Sequence, residues 1–354
     1  MTLLDRYIAR GIFQWTLMVL VVLMSLRVFN TFIDESGELT GGGYGVLDAL
    51  LVTLLRTPRF AVEVFPVAGL IGGLLALGGL ARHSEITAMR TAGVSVWRVL
   101  GSVLMAGLVL SASVVLLSEV VAPVTEERAE RLRAERLNQP SVLRTRYGYW
   151  FRENNDFINI RGLSVAGELS GIYIYRLTEN WELDSVTHGQ QAYYADDGWR
   201  LRKVSITRGA GGSVVRETHD ELPWQMGLSP DMLDLVAIKP AFMSAWDLLQ
   251  YLRFMWDNDQ AQPEYEVAFW SKIAVPVTTL VLLMLAVIFV LGNLRQVDMG
   301  QRILTGALIG TAFFILNRAA TFVALVYDIS PALAAWTPTL VFLLLTLYLL
   351  RRLA

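Results

Sequence analysis

Cysteine is absent from this 354-residue chain, histidine occurs three times, and only 18% of the residues are charged. Without thiols there can be no disulfide, thiolate nucleophile, Cys-type zinc site or iron–sulfur cluster. Any domain outside a membrane must then hold together by side-chain burial. His83, His188 and His219 lie far apart and lack metal-ligand spacing. A G-x-x-x-x-G-K-[ST] phosphate loop and a G-x-S-x-G elbow are also missing, which argues against ATP binding by that route and against a hydrolase triad. A net charge of −2, with no Lys/Arg cluster interleaved with aromatics, argues against nucleic acid as a partner. Catalysis in this chain is therefore not expected.

What the chain does have is apolar length. Hydrophobic residues make up 54% of it, the composition of an integral membrane protein. A helix needs roughly 20 apolar residues to cross a bilayer. Six segments meet that need: Gly11 to Ile33, Phe65 to Leu80, Val99 to Ser118, Ile273 to Leu294, Ile303 to Tyr327 and Ile329 to Leu350. The first follows Arg6 and Arg10 with no small-x-small cleavage pattern, so it reads as an uncleaved span and not as a signal peptide. The glycine-rich run "GLIGGLLALGGL" in the second suggests close helix contact through small residues.

Lys and Arg favour the cytoplasmic side. Arg6, Arg10, Arg82, Arg90, Arg98, Arg295, Arg302, Arg351 and Arg352 fall on one side of a six-span layout, while Arg56 and Arg59 lie in the loop after the first span. Both termini are expected in the cytoplasm. The far-side segment begins with "VTEERAERLRAERLNQ", a solvated helical extension of the third span. Short alternating segments separated by turn signals follow, as in "YGYWFRENNDFINI", "GIYIYRL" and "QAYYADDGWRLRKVSITR". They predict an antiparallel β domain of sandwich or jelly-roll type with roughly ten strands or fewer. A helix with Trp246, Leu249, Leu252 and Trp256 on one stripe leads back to the membrane. The domains are thus 1–121 (three spans), 122–266 (β domain with flanking helices) and 267–354 (three spans).

Ion coupling needs ionisable groups in the middle of spans, and Glu63, Glu119 and Asp328 all sit at span ends. Arg27 and Arg318, in contrast, lie inside apolar sequence, roughly 20–25 Å from the cytoplasmic face at ~1.5 Å per residue. Each is either a snorkelling side chain or, with the other, part of a cavity that receives anionic headgroups. Between the second and third spans, Ser84 as N-cap and Gly93 as C′ residue bracket a short amphipathic helix at about 84–93. Its Ile86, Met89 and Ala92 stripe suits either an interfacial connector or a docking element.

The motifs "LDRYI" (Leu4 to Ile8), "SEITAMRTAG" (Ser84 to Gly93), "SEVVAP" (Ser118 to Pro123), "WSKI" (Trp270 to Ile273) and "LGNLRQVDMGQRILTG" (Leu291 to Gly306) occur in that order. On this layout the chain resembles the LptF/LptG family of lipopolysaccharide-export permeases over its whole length. "LDRYI" and "WSKI" lie nearer its LptG branch. The resemblance implies six transmembrane helices with a periplasmic jelly-roll inserted between helices 3 and 4. It implies a subunit of an ABC transporter in the bacterial inner membrane, which extracts lipopolysaccharide from the outer leaflet and passes it toward the outer membrane.

The implied partners are an LptF-type permease, an LptB-type ATPase dimer and an LptC-type jelly-roll protein. ATP and Mg would be bound by the ATPase, leaving this chain without a cofactor. The short cytoplasmic helix would be the coupling helix, with Glu85 as the acidic contact and Ile86, Met89 and Arg90 beside it. The family's lysines near the end of the first span are replaced here by "NTFIDESGELTGG", with Asp34, Glu35 and Glu38, so those contacts do not transfer. Two alternatives stay open: a membrane-anchored periplasmic scaffold, and a mechanotransmission subunit that conducts no lipid itself.

Overall fold

The computed structural model describes residues 3–37, 43–136, 149–153, 155–163, 168–178, 180–195, 198–210, 213–224, 226, 240–258, 262–291, 298–327 and 329–353. Its helices are α1 (Leu3–Ser36), α2 (Val46–Arg82), α3 (Glu85–Thr91), α4 (Val96–Leu116), α5 (Ala122–Arg136), α6 (Ala245–Asp257), α7 (Pro263–Leu291), α8 (Met299–Tyr327) and α9 (Pro331–Leu353). A π-helical turn, Leu117–Val121, joins α4 to α5 without a break. Among the described residues six helices are long and apolar enough to cross a membrane: α1, α2, the α4–α5 rod, α7, α8 and α9. An all-β insertion lies between the third and fourth of them, which is the expected fold class.

The second span departs from expectation. Its start is expected at Phe65, with Arg56 and Arg59 in the loop before it, yet α2 runs from Val46 through both arginines, Pro58 and Pro66. Neighbouring helices surround α2 and its arginines have carboxylate partners, so a proline costs a membrane helix less than it costs an isolated one. Helices α1, α7 and α8 pack along α2, making it the centre of the bundle. A Cβ added at Gly72 would stand 2.6 Å from the Cα and N of Thr16 on α1. That neighbour is backbone and cannot swing away. Gly72→Val should therefore lower the apparent Tm of the solubilised protein by roughly 1–4 °C, since overpacking costs about 1–3 kcal/mol. Gly79→Ala is the control, because its new Cβ meets nothing within 4 Å.

The β domain is one antiparallel sheet of six strands: β1 (Tyr149–Glu153), β2 (Asp156–Leu163), β3 (Leu169–Leu177), β4 (Leu183–Ala195), β5 (Gly198–Ala210) and β6 (Ser213–Trp224). Each strand pairs with the next in sequence, an order simpler than the crossed connections of a jelly-roll or sandwich. The expected turn signals fall at the β1–β2, β4–β5 and β5–β6 hairpins. Ile158, Ile160, Ile172, Ile174, Leu201 and Val204 form the core of the domain, and Phe254 of α6 packs against it.

Two further expectations are corrected. The stripe of α6 is shifted: Leu248, Tyr251, Leu252 and Met255 are buried, while Trp246 and Trp256 are exposed. The reason is the partner surface: Leu248, Tyr251, Leu252 and Met255 pack with Met243 and with Tyr265 of α7, while the capping box, in which Ser244 accepts from the Asp247 amide at 3.1 Å, sets where the helix starts. The extension α5 is not wholly solvated either, because Glu126 and Ala129 are buried.

Candidate functional site: an intramembrane cavity and the helix at its opposite end

A cavity of about 910 Å³ opens toward the end of the bundle that carries the β domain. Its walls come from α1, α2, the α4–α5 rod, α6, α7, α8, α9 and the 3-10 turn Pro240–Phe242. Much of the lining is apolar, including Val67, Val114, Phe313 and Leu325. Set into it are four cations, Arg27, Arg59, Lys272 and Arg318, and four carboxylates, Glu63, Glu119, Glu126 and Glu264. The structure thus brings Arg27 and Arg318, from the first and fifth spans, to one cavity.

Their partners differ. Arg318 donates to Glu63 Oε1 at 3.4 Å and lies 5.4 Å from the Phe314 ring centre. Its side chain is 68% exposed, so this long contact holds it weakly. Arg27 stacks 4.7 Å from the Phe60 ring and, among the described residues, has no carboxylate within 4.0 Å. Arg59 is held more firmly, 3.7 Å from the Phe242 ring centre and 3.5 Å from Glu126. Two long cations with little to hold them, facing a partly apolar cavity, can accept an amphiphile that carries anionic groups.

Beside the cavity the acidic end of α1 finds its use. Glu35 is buried at 6% exposure and ion-paired with Arg56 and, at 3.4 Å, with Arg133. Arg56 also reaches Glu130 at 2.6 Å and Glu126 at 3.5 Å. The Tyr44 hydroxyl donates to Glu35 at 2.9 Å, and burial followed by that bond pushes the phenol well above its ordinary range. Asp34 is exposed, and Glu38 lies outside the described residues. Removing one member of a buried ion cluster leaves the others uncompensated, at about 3–5 kcal/mol. Glu35→Ala should lower the apparent Tm by roughly 5–10 °C without changing ligand affinity, read by thermal unfolding in detergent.

At the other end of the bundle sits α3. Ile86 is 6% exposed and belongs to the transmembrane core with Ile8, Leu77 and Val99. It is an anchor and not a free surface. Glu85 accepts a hydrogen bond from the Tyr7 hydroxyl of α1 at 2.8 Å. Met89 is half-buried and Arg90 exposed. Ser84 does not cap the helix: it sits at φ 58° with no side-chain capping bond. Gly93, at φ 89°, does serve as the C′ residue, with Gly93 N donating to Arg90 O at 3.1 Å and Val94 N to Met89 O at 3.0 Å. Asp5 ties the start of α1 to α4, through Arg98 at 3.1 Å and Ser102 at 2.6 Å. A push on α3 therefore meets α1, α2 and α4 together.

The residue that inspection of the spans overlooked is Lys272. It falls inside "WSKI", where the apolar run of α7 had only begun, although an ionisable group among span residues is itself a signal. Among the described residues no group of three or more His, Asp or Glu is placed to hold a metal ion.

Comparison with known proteins agrees with this architecture. The family described as "Lipopolysaccharide export system permease LptF/LptG" matches residues 6–352. The chain is 34% identical over 357 residues to the "Lipopolysaccharide export system permease protein LptG" of Escherichia coli, covering 99% of this chain and 98% of that one. It is 32% identical over 351 residues to the protein of the same name from Haemophilus influenzae, again covering 99% and 98%. By extent and identity, this chain belongs to the LptF/LptG family of lipopolysaccharide export system permeases.

Proposed function

We propose that this chain is the LptG-type permease subunit of an inner-membrane ABC exporter, with both termini cytoplasmic and the β domain periplasmic. Its cavity takes lipopolysaccharide from the outer leaflet and delivers it to the periplasmic sheet. The observation that carries this reading is the meeting of Arg27 and Arg318 at one partly apolar cavity of about 910 Å³. Arg27 and Arg318, the two loosely held cations of a lining that also carries Glu63, Glu119, Glu126 and Glu264, match phosphates, and the apolar wall matches acyl chains at roughly 25 cal/mol per Å² buried.

Energy arrives through partners. An LptB-type ATPase dimer binds ATP and Mg, so this chain carries no cofactor and no catalytic residue. It docks on α3 through Glu85, with Met89 and Arg90 beside it and Ile86 holding the helix to the bundle. An LptF-type permease completes the heterodimer, and an LptC-type protein stands alongside. Closure of the ATPase dimer moves α3, and the attached α2 and α4 narrow the cavity.

The test is ATP-dependent crosslinking of lipopolysaccharide to a photoreactive residue placed beside Arg27, in the complex with its ATPase. Crosslinking that falls on ATP addition supports extraction. A cavity that never crosslinks, in a complex that still hydrolyses ATP, supports the mechanotransmission alternative.

A further inference from the structure

Three features stand apart from the lipid and docking contacts above: the Glu35–Arg56 cluster, the aromatic row Trp150–Tyr175–Tyr173 on the sheet, and Lys272. The first two are accounted for by fold stability and by ring stacking along β3 and from β1 across β2. Lys272 is different. Its side chain is 13% exposed on the cavity wall, and its ammonium lies 3.1 Å from Ser118 Oγ, 3.3 Å from Ser118 O and 3.3 Å from Glu119 Oε1. The π-helical turn Leu117–Val121 presents these acceptors, and such turns concentrate at working sites.

Glu119 has a second commitment. Its Oε2 accepts the backbone N–H of Ala245, the first residue of α6, at 2.6 Å. One carboxylate is thus shared between a cavity lysine and the start of the helix that packs on the β domain. If Lys272 turns away, Glu119 keeps a charge-assisted bond and the favourable end of the α6 dipole. A buried ion pair normally cannot part, because the abandoned charge is stranded. Here the second partner removes that obstacle.

We propose that Lys272 is a reserve phosphate contact: Glu119 holds it when the cavity is empty, and it swings to a phosphate on the lipid headgroup when the cavity fills. Its flexible four-carbon stem and compact charge suit that movement better than a planar guanidinium would. The lipid then meets three cations, Arg27, Arg318 and Lys272, drawn from α1, α8 and α7. The exchange leaves Glu119 to the start of α6 and the Ser118 hydroxyl, so occupancy of the cavity registers at the base of the β domain. This rests on the export reading above.

The test measures binding of bisphosphorylated lipid A, and of lipid A with both phosphates removed, to the assembled permease–ATPase complex in nanodiscs. Lys272→Met is expected to weaken the bisphosphorylated lipid about tenfold, the loss of one charge-assisted bond, and to leave the dephosphorylated lipid unchanged. Glu119→Gln, which loosens the hold on Lys272, should tighten the bisphosphorylated lipid about threefold. Lys272→Arg should retain the preference for phosphate, which separates charge from folding. Both lipids shifting alike in Lys272→Met and Glu119→Gln, or neither shifting while wild type binds both, overturns the assignment of Lys272 alone. Displacement of the lipid by millimolar inorganic phosphate overturns a lipid-borne ligand. A wild-type complex that binds neither lipid overturns the export reading, and this assignment with it.

Discussion

Glu85→Lys is expected to abolish coupled ATP hydrolysis, with the purified permease losing most of its ATPase subunits. Reversing one partner of a buried, hydrogen-bonded charge pair costs about 2–5 kcal/mol, or more than tenfold in docking affinity. The structure supplies the control, because Glu85 also accepts the Tyr7 hydroxyl at 2.8 Å. Tyr7→Phe removes that bond and leaves the carboxylate. If Glu85 acts by docking, Tyr7→Phe keeps the ATPase and most of the coupled turnover. If the two variants fail alike, the role of Glu85 is to hold α3 against α1. Glu85→Gln, which keeps an acceptor without charge, should fall between them. The readouts are ATPase stoichiometry after affinity purification and lipopolysaccharide-stimulated hydrolysis.

The second large effect belongs to the cavity. The double variant Arg27→Ala, Arg318→Ala should reduce lipopolysaccharide crosslinking and export at least tenfold, with membrane insertion and ATPase copurification unchanged. Each guanidinium stands to make a charge-assisted contact worth about 1.5–3 kcal/mol, and neither holds up the fold. Arg318 has one weak carboxylate contact and Arg27 a ring, so removing them strands little. Unchanged export would reduce both to interface-seeking side chains. Arg27→Lys and Arg318→Lys discriminate further: lysine keeps the charge and loses the planar fork, so binding should weaken by less than in the alanine variants.

The six spans, the inserted β domain and the short helix after the second span were legible because apolar run length and strand alternation are local signals. Arg27 and Arg318 stood out because a charge deep in an apolar run is rare. Their convergence on one cavity was beyond local reading, since it depends on how α1 and α8 lean against α2. The first half of α2 looked like a loop because Arg56 and Arg59 carry surface signals. Only the cluster of Glu35, Glu126 and Glu130, brought from distant segments, makes that stretch acceptable as helix. Ile86 looked like one stripe residue among three, and burial alone separates it as the anchor. Lys272 and Glu119 are more than 150 residues apart, and their pairing has no local signature.

The unbroken run of α2 from Val46 to Arg82 has a mechanical consequence. Its 37 residues make a rod of about 55 Å at 1.5 Å per residue. One tip adjoins α3, and the other, at Val46, lies ten residues beyond Arg56 and its ion cluster. Such a rod works as a lever arm: a tilt of about 5° pivoting near one tip carries the other through about 5 Å over that length. Stroke length at the far tip is therefore set by how stiff the segment around Pro58 and Pro66 remains, and a hinge there would absorb the motion before it reached the sheet.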